Sequence, residues 1–397
     1  MGGTLANIYN NVGLALNLHA EAMAQLQEQV STGSRINRAS DDPSAAYRVL
    51  GLDSEQRLLE GYMDNISNAV GTLGLSSMVV GNMLSNISEE KVHLTQIVGG
   101  TYTQQERNSL AGGINDTLEQ MVSLANTRHI DQYLFGGSST SSAPYVVQRN
   151  DDGEIASVVY QGSDEQLQVQ LARGVESSSF YVGDNIFCSD SRSTPVFSGD
   201  TGVKAGTATS SVRGDIWLTV TDEDENGTYE LSIDGGLTSV DEDGTANQAI
   251  IDSRTERVLY VNTTGGINGT GVEMVRVPGT YDVFNMLISI RDILRNEKAF
   301  SDSRVVELVN NSIASMEEVR NLLVGKQVSI GSKIGFLNNL ESTLERIKFD
   351  TEEEAVTLQQ ADITQIAIDL SRREVLYQMS LAVAGRLMSI SLLDFIR

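Results

Sequence analysis

Four prolines, Pro43, Pro144, Pro195 and Pro278, are all that interrupt a chain of 397 residues. The strongest helix breaker is therefore absent from 1–42, 44–143 and 279–397, and helices there can run long. Two helical flanks are expected around a different middle. The C-terminal flank ends in Asp362–Ile396, where Ile363, Ile366, Leu370, Tyr377, Leu381, Ala384, Met388, Leu392 and Phe395 recur in steps of three, four and seven. Its other faces hold Ile368, Leu376, Val383, Leu387, Ile390 and Leu393. That is more apolar surface than one neighbour covers, so this helix needs several partners.

At the other end, Leu5, Ile8, Val12, Leu16, His19, Met23, Leu26 and Val30 predict a helix from about Thr4 to Val30 with a matching stripe. His19 reads as a seam residue rather than a metal ligand. A polar turn follows. Asp42 then suits an N-cap and Pro43 a first helical position, since the missing N–H would have been unpaired there. Downstream, Ile66, Leu73, Val80, Ile87 and Leu94 form a heptad row, with Val70, Leu84 and Val98 four residues after alternate members. One helix from Pro43 to Val98 is expected. Thr103 and Glu106 make a capping box that opens another, reaching about Thr127.

Between Ser141 and Thr280 the period shortens to two. Val158 with Tyr160, Leu167 with Val169 and Leu171, Ile216 with Leu218 and Val220, Tyr229 with Leu231 and Ile233, and Leu259 with Val261 read as strands of a β-rich domain. Asn226-Gly227 between two runs is a hairpin signal. Helix resumes near Asp282 through Val283, Leu287, Ile290 and Leu294, then from about Ser303 to Ile347. Thr351 and Glu354 form a second capping box, predicted to reopen helix toward the terminal stretch.

Charge narrows the function classes. The chain has 53 acidic and 28 basic residues, a formal net charge of −25, and no cluster of Lys and Arg of the kind phosphate backbones require, so nucleic acid is not expected as a partner. The window Ser141–Thr280 alone holds 22 acidic residues against 8 basic ones, more than half of the chain's acidic excess. A single cysteine, Cys188, excludes an intrachain disulfide. No cationic leader opens the chain and no run of eighteen apolar residues occurs, so neither a cleaved signal peptide nor a membrane span is expected.

Catalytic chemistry finds no foothold. His19, His93 and His129 are scattered, no G-x-S-x-G occurs, and Gly325-Lys326 lacks the rest of a phosphate loop. No catalytic residue, metal or cofactor is expected. Asp222, Asp224, Asn226 and Gly227 match the opening of a calcium loop, but Ile233 stands where the bidentate Glu belongs and the flanks read as strands, which favours a solvated acidic turn. The cluster Asp241, Glu242, Asp243, Gly244 is weaker.

The segment QVSTGSRINRASDDPSAA, Gln29–Ala46, resembles the N-terminal signature of the bacterial flagellin superfamily, S-[ST]-G-x-R-[IV]-N-x-[AP]-x-D-D-P. The likeness extends through the Thr103 capping box and LANTRHIDQYLFGG, Leu124–Gly137, and returns in SLLDFI at the C-terminus. Within the superfamily, QYLFGGSSTSSAPY, the Y-x-G…G…F pattern of Val159–Phe187 and the ending SLLDFIR resemble the adaptor branch of the hook–filament junction more than the filament-forming flagellins. The segment from Cys188 to about Pro278 has no counterpart in this resemblance.

The resemblance implies a mainly α fold with a β insertion: paired N- and C-terminal coiled-coil helices, a long-helix bundle and a central projecting β-domain. The implied division is 1–32 with 362–397 as a terminal coiled-coil core, 33–143 with 279–361 as the bundle, and 144–278 as the outer β-rich domain. The implied job is structural: a subunit exported by the flagellar type III apparatus without a cleaved signal, with an export chaperone, and assembled outside the cell. Its partners would be copies of itself in a ring layer, the other hook-associated junction protein, and flagellin. The alternative is a filament-forming flagellin. Assembly would run through Leu5, Ile8, Val12, Leu16, Met23, Leu26 and Val30 with Ile363, Ile366, Leu370, Tyr377, Leu381, Met388, Leu392 and Phe395.

Overall fold

The computed structural model describes residues 2–100, 102–222 and 227–395, with the side chains of 2–6, 8, 9 and 387–395 outside the description. Two compact units form, residues 1–64 with 339–397, and residues 65–338. The fold is mainly α with a β-rich insertion, as the periodicities predict.

In the first unit, α1 (Gly2–Thr32) packs against the last helix of the chain, and α2 (Pro43–Gly99) begins. Asp42 caps α2 as predicted, its Oδ1 accepting from the Ala45 N–H at 3.0 Å. Beside α2 runs the long helix α6 (Asp302–Gln359) in the opposite direction, joined by Arg48–Glu354 and Glu60–Lys348, both 2.8 Å.

The predicted break near Ile347 is wrong. Helix α6 continues to Gln359, and Thr351 sits inside it, donating its hydroxyl to the Ile347 carbonyl at 2.7 Å, while Glu354 pairs with Arg48. Residues 336–359 contain neither Gly nor Pro, so nothing there ends the helix, and S/T-x-x-E satisfies itself by back-bonding within the turn. The actual break falls at 360–362. Asp362 then caps α7 (Ile363–Phe395), accepting from the N–H groups of Thr364 and Gln365 at 3.0 Å.

In the second unit, Ile66, Leu73, Val80, Ile87 and Leu94 of α2 are all fully buried. Their companion row differs from the predicted one. Val70, Leu84 and Val98 are only half-buried, and the deep positions lie three residues on, at Ala69, Ser76, Met83, Glu90 and Ile97. Two polar members hid this row from an apolar count. Ser76 bonds the Thr72 carbonyl at 3.0 Å, and Glu90 accepts from the Thr117 hydroxyl at 2.7 Å, so neither is buried unpaired. Helix α3 (Gln104–Ala125) opens with the predicted capping box, both reciprocal bonds present between Thr103 and Glu106.

Short strands fill the insertion. β1 (Arg128–His129) and β2 (Gln132–Tyr133), β3 (Tyr145–Arg149) and β4 (Ile155–Tyr160), and β5 (Gln168–Ala172) and β6 (Val175–Ser178) are antiparallel pairs, followed by the short α4 (Gly183–Phe187). Next come β7 (Val196–Ser198), β8 (Lys204–Ala205), β9 (Gly214–Thr221), β10 (Glu230–Ser232), β11 (Val240–Asp241), β12 (Gln248–Ile251), β13 (Val258–Asn262) and β14 (Gly271–Val277). They form one sheet of order β11-β10-β9-β14-β7 and another of order β12-β13-β8. A common core that includes Leu218, Val220, Leu231, Leu259, Val261, Val275 and Val277 lies between them. The predicted hairpin exists, since β9 and β10 pair with Thr221 opposite Glu230, but residues 222–229 connect them rather than a two-residue Asn-Gly turn. Asp224 and Asn226 lie outside the described residues.

The distal strands leave and rejoin the helices through one stalk. Cys188 bridges Asp282, and the N–H groups of Ser189, Ser191 and Ser193 donate to the carbonyls of Tyr281, Gly279 and Pro278 at 2.8–2.9 Å. A Cβ on Gly279, whose φ is +80°, would lie 1.8 Å from the Ser191 carbonyl oxygen, so only glycine fits there. Helix α5 (Val283–Arg295) then starts from Asp282 as predicted and packs on α3. The outer face of β9 and β14 carries a buried cluster. Arg276 pairs with Asp215 at 3.0 Å and donates to the Ser315 hydroxyl of α6 at 2.7 Å, while the Tyr281 hydroxyl donates to Asp215 at 2.6 Å.

Candidate assembly interface

The turn between α1 and α2 is held residue by residue. Gly33 ends α1 with φ +68°, its N–H donating to the Gln29 carbonyl at 2.9 Å, the left-handed conformation that closes helices at least cost when the residue is glycine. Ser34 then forms an antiparallel bridge with Gln360. On either side of it, the Arg35 N–H donates to the Gln359 carbonyl at 2.6 Å and the Ala361 N–H to the Gly33 carbonyl at 3.1 Å. The Arg35 guanidinium reaches the Leu358 carbonyl and the Asp42 carboxylate, both at 3.3 Å, so one side chain serves the end of α6 and the start of α2.

Asp41 organises the rest, its carboxylate accepting from the N–H groups of Asn37 and Arg38 at 3.1 and 2.9 Å and from the Gln25 amide at 3.2 Å. Asn37 donates back to the Ser34 carbonyl at 3.2 Å. The Ala45 N–H, together with the Arg35 guanidinium, holds the Asp42 carboxyl below its ordinary range. Four helix ends therefore meet in one joint: the finish of α1 and α6, and the start of α2 and α7. Their otherwise unpaired N–H and carbonyl groups satisfy one another.

From this joint α1 and α7 extend side by side. Of the predicted interface residues, Val12, Leu16, Met23, Leu26, Leu370 and Tyr377 are half-buried and Ile366 is buried, while Val30, Ile363 and Leu381 are exposed. The side chains of Leu5, Ile8, Met388, Leu392 and Phe395 lie outside the described residues. His19 is half-buried, and its Nδ1 has no hydrogen-bond partner among the described residues.

The apolar surface left open is larger than the stripes predict. Leu14 and Leu18 of α1 are 60% and 56% exposed, and Val375 and Met379 of α7 are 56% and 60% exposed, beside the expected Ile368 and Val383. On α2 and α6, Tyr47, Leu50, Phe349 and Val356 are also exposed. Stripe-reading missed them because it keeps the one best face. Counting apolar residues on every face finds them. Among the described residues no group of three or more His, Cys, Asp or Glu is placed to hold a metal, and no helix is long and apolar enough to cross a membrane.

The family model for the bacterial flagellin N-terminal helical region matches residues 6–140. Flagellar hook-associated protein 3 of Escherichia coli K12 is 29% identical over 172 residues, 43% of this chain and 51% of the relative. The protein of that name from Salmonella typhimurium is 28% identical over 178 residues, 45% of this chain and 53% of the relative. Flagellin A of Helicobacter pylori is 25% identical over 167 residues, 40% of this chain and 33% of the relative. The chain thus spans about half the length of the hook-associated relatives it matches. A crystal structure of hook-associated protein 3 from Legionella pneumophila superposes with a TM-score of 0.51 at 16% identity, over 77% of this chain and 96% of that one, which speaks for the fold. The signature joint and the paired flanking helices thus accompany a likeness to the bacterial flagellin N-terminal helical region over residues 6–140 and to hook-associated protein 3 over about half of that protein's length.

Proposed function

We propose that the chain is a structural subunit of the bacterial flagellum, an adaptor at the hook–filament junction that assembles through its terminal helices. The observation that carries this reading is the joint at Ser34–Asp42, from which two paired helices extend with open apolar faces. A closed, self-sufficient subunit would bury those faces. An open helical lattice covers them with its neighbours' faces. The interface residues are the two stripes together with Leu14, Leu18, Val375 and Met379. In this reading 1–32 with 362–397 form the assembling core, 33–143 with 279–361 the shaft, and 144–278 the outward domain. The protein works outside the cell and catalyses nothing. Its partners are its own copies in a ring layer, the other hook-associated junction protein, flagellin, an export chaperone and the type III export apparatus.

Deleting the gene is expected to leave hooks bare and flagellin shed into the medium, and a deletion strain with normal filaments overturns the adaptor role. Truncation after Arg386 is expected to abolish incorporation while the outer β-rich part stays folded. A second reading, filament-forming flagellin, is favoured by the match to Flagellin A. Seeded polymerisation separates the two: a filament protein extends seeds into long fibres on its own, and an adaptor stops at a short layer.

A further inference from the structure

Two sizeable cavities open beside the β-rich insertion in the second unit. The larger, about 700 Å³, has Arg304 as its only cation, and Arg304 is occupied by Glu307 at 2.7 Å and by the Ser198 carbonyl. The other, about 490 Å³, is lined by four cations, Arg254, Arg291, Arg295 and Lys298, against two carboxylates, Asp292 and Glu297. In a chain with 53 acidic and 28 basic residues this is an inversion of the local charge.

Two of the four cations are committed. Arg291 is paired with Asp292 at 2.8 Å and donates to the Ile155 carbonyl at 2.6 Å, and Arg295 pairs with Glu154. The other two are not. The exposed Arg254 guanidinium makes no hydrogen bond or ion pair among the described residues, and the Lys298 ammonium lies 5.1 Å from the centroid of the Trp217 indole. Phe300 stacks on that indole at 5.6 Å with an interplanar angle of 25°. The end of α5 accounts for Arg295 and Lys298, because a helix C-terminus attracts cations. It does not account for Arg254, which comes from the loop between β12 and β13.

We propose that this cleft binds a small organic anion, with a carboxylate or sulfate held by Arg254 and Lys298 and a carbon frame packed against Trp217 and Phe300. A cation over an aromatic face keeps its remaining N–H donors free, and charge-assisted pairing with an oxyanion is the strongest use for them. The volume falls within the range of small-ligand sites, and Ala156, Trp217, Ile293 and Phe300 supply the apolar part of a mainly polar lining. An acidic uronic-acid sugar has the required anion, frame and size.

Trp217 is the only tryptophan, so its fluorescence reports on the cleft directly. The full-length chain is titrated with D-glucuronate at low salt, with calorimetry in parallel. The expected result is saturable binding to glucuronate, none to neutral D-glucose, and weaker binding of inorganic sulfate at the same seat. The Arg254→Gln/Lys298→Gln double variant should bind at least about tenfold more weakly, the loss of one charge-assisted bond or more. Both side chains are exposed, so an unchanged circular dichroism spectrum is expected for this variant. An equal response to glucose, an unchanged affinity in the double variant, or sulfate binding as tight as glucuronate overturns the proposal. So does binding of a poly-glutamate peptide without any response to glucuronate, which makes the cleft a protein-docking surface instead.

Discussion

At Gly33 the backbone takes φ +68° with nothing near the position of a Cβ, so a larger residue would be refused by conformation and not by space. Gly33→Ala is expected to cost about 1–2 kcal/mol, the penalty of a left-handed L-residue, read as a lower midpoint in denaturant followed by helical circular dichroism. Asp42 gives the joint a pH dependence. Its carboxyl is depressed by the Ala45 N–H and by Arg35, so the stabilisation is complete above its ordinary value of 3.8 and is lost as the pH falls through the lower folded value. Hydrogen-exchange protection of the Ala45 amide should drop with that titration. Asp42→Asn should flatten it, because an asparagine still caps α2 but carries no charge. The residues of the Gln29–Ala46 signature were legible as a pattern. Their bonds to Leu358, Gln359 and Ala361 were not, because a partner more than three hundred positions away leaves no local trace.

Among the elements, helices announced themselves better than strands. Asp42-Pro43, Thr103–Glu106 and Asp282 each start a helix where their chemistry predicts. Thr351–Glu354 carries the same letters inside α6 and starts nothing, which shows that a capping box needs a chain break before it. For the strands, alternation located the runs but said nothing of their order. β14 pairs with both β9 and β7, neither of them its neighbour in sequence. The polar joint between sheet and helices was equally invisible, since Asp215, Arg276, Tyr281 and Ser315 are spread over a hundred positions. Asp215→Ala strands a buried guanidinium, and breaking such a pair typically costs about 3–5 kcal/mol. Trp217, two residues along β9, should report that loss as an earlier unfolding transition in denaturant. A wild-type midpoint would contradict the weight given to the cluster.

For the whole molecule, the uneven distribution of exposed apolar surface predicts how the isolated chain should behave. The flanks hold Leu14, Leu18, Val375 and Met379 in water, whereas the heptad row of the second unit is sealed. Limited proteolysis of the monomer is therefore expected to remove residues near 1–30 and 365–397 well before it cuts the second unit, following the low local stability of sparsely packed segments. Termini that survive as long as the rest would argue against assembly through them. The apolar excess of the terminal helices was legible early, because it is visible in the letters. Where the Trp217 cleft lies was not, since its free cations come from a strand connection and a helix end that meet only after folding.

The stalk of Ser189–Ser193 against Pro278–Tyr281 sets entry and exit of the distal strands within hydrogen-bonding distance of each other. Topologically, that makes residues 194–277 a single excursion from the helices, tied back to α6 at two further points, Arg276 to Ser315 and Ser198 to Arg304. Replacing the excursion with a short turn removes those two ties together with the Asp215 partner of Tyr281, so the helical circular dichroism of the remainder should be lost at a lower denaturant midpoint. A substitute for this excursion thus needs more than adjacent ends: it has to offer α6 a donor for Ser315 and an acceptor for Arg304.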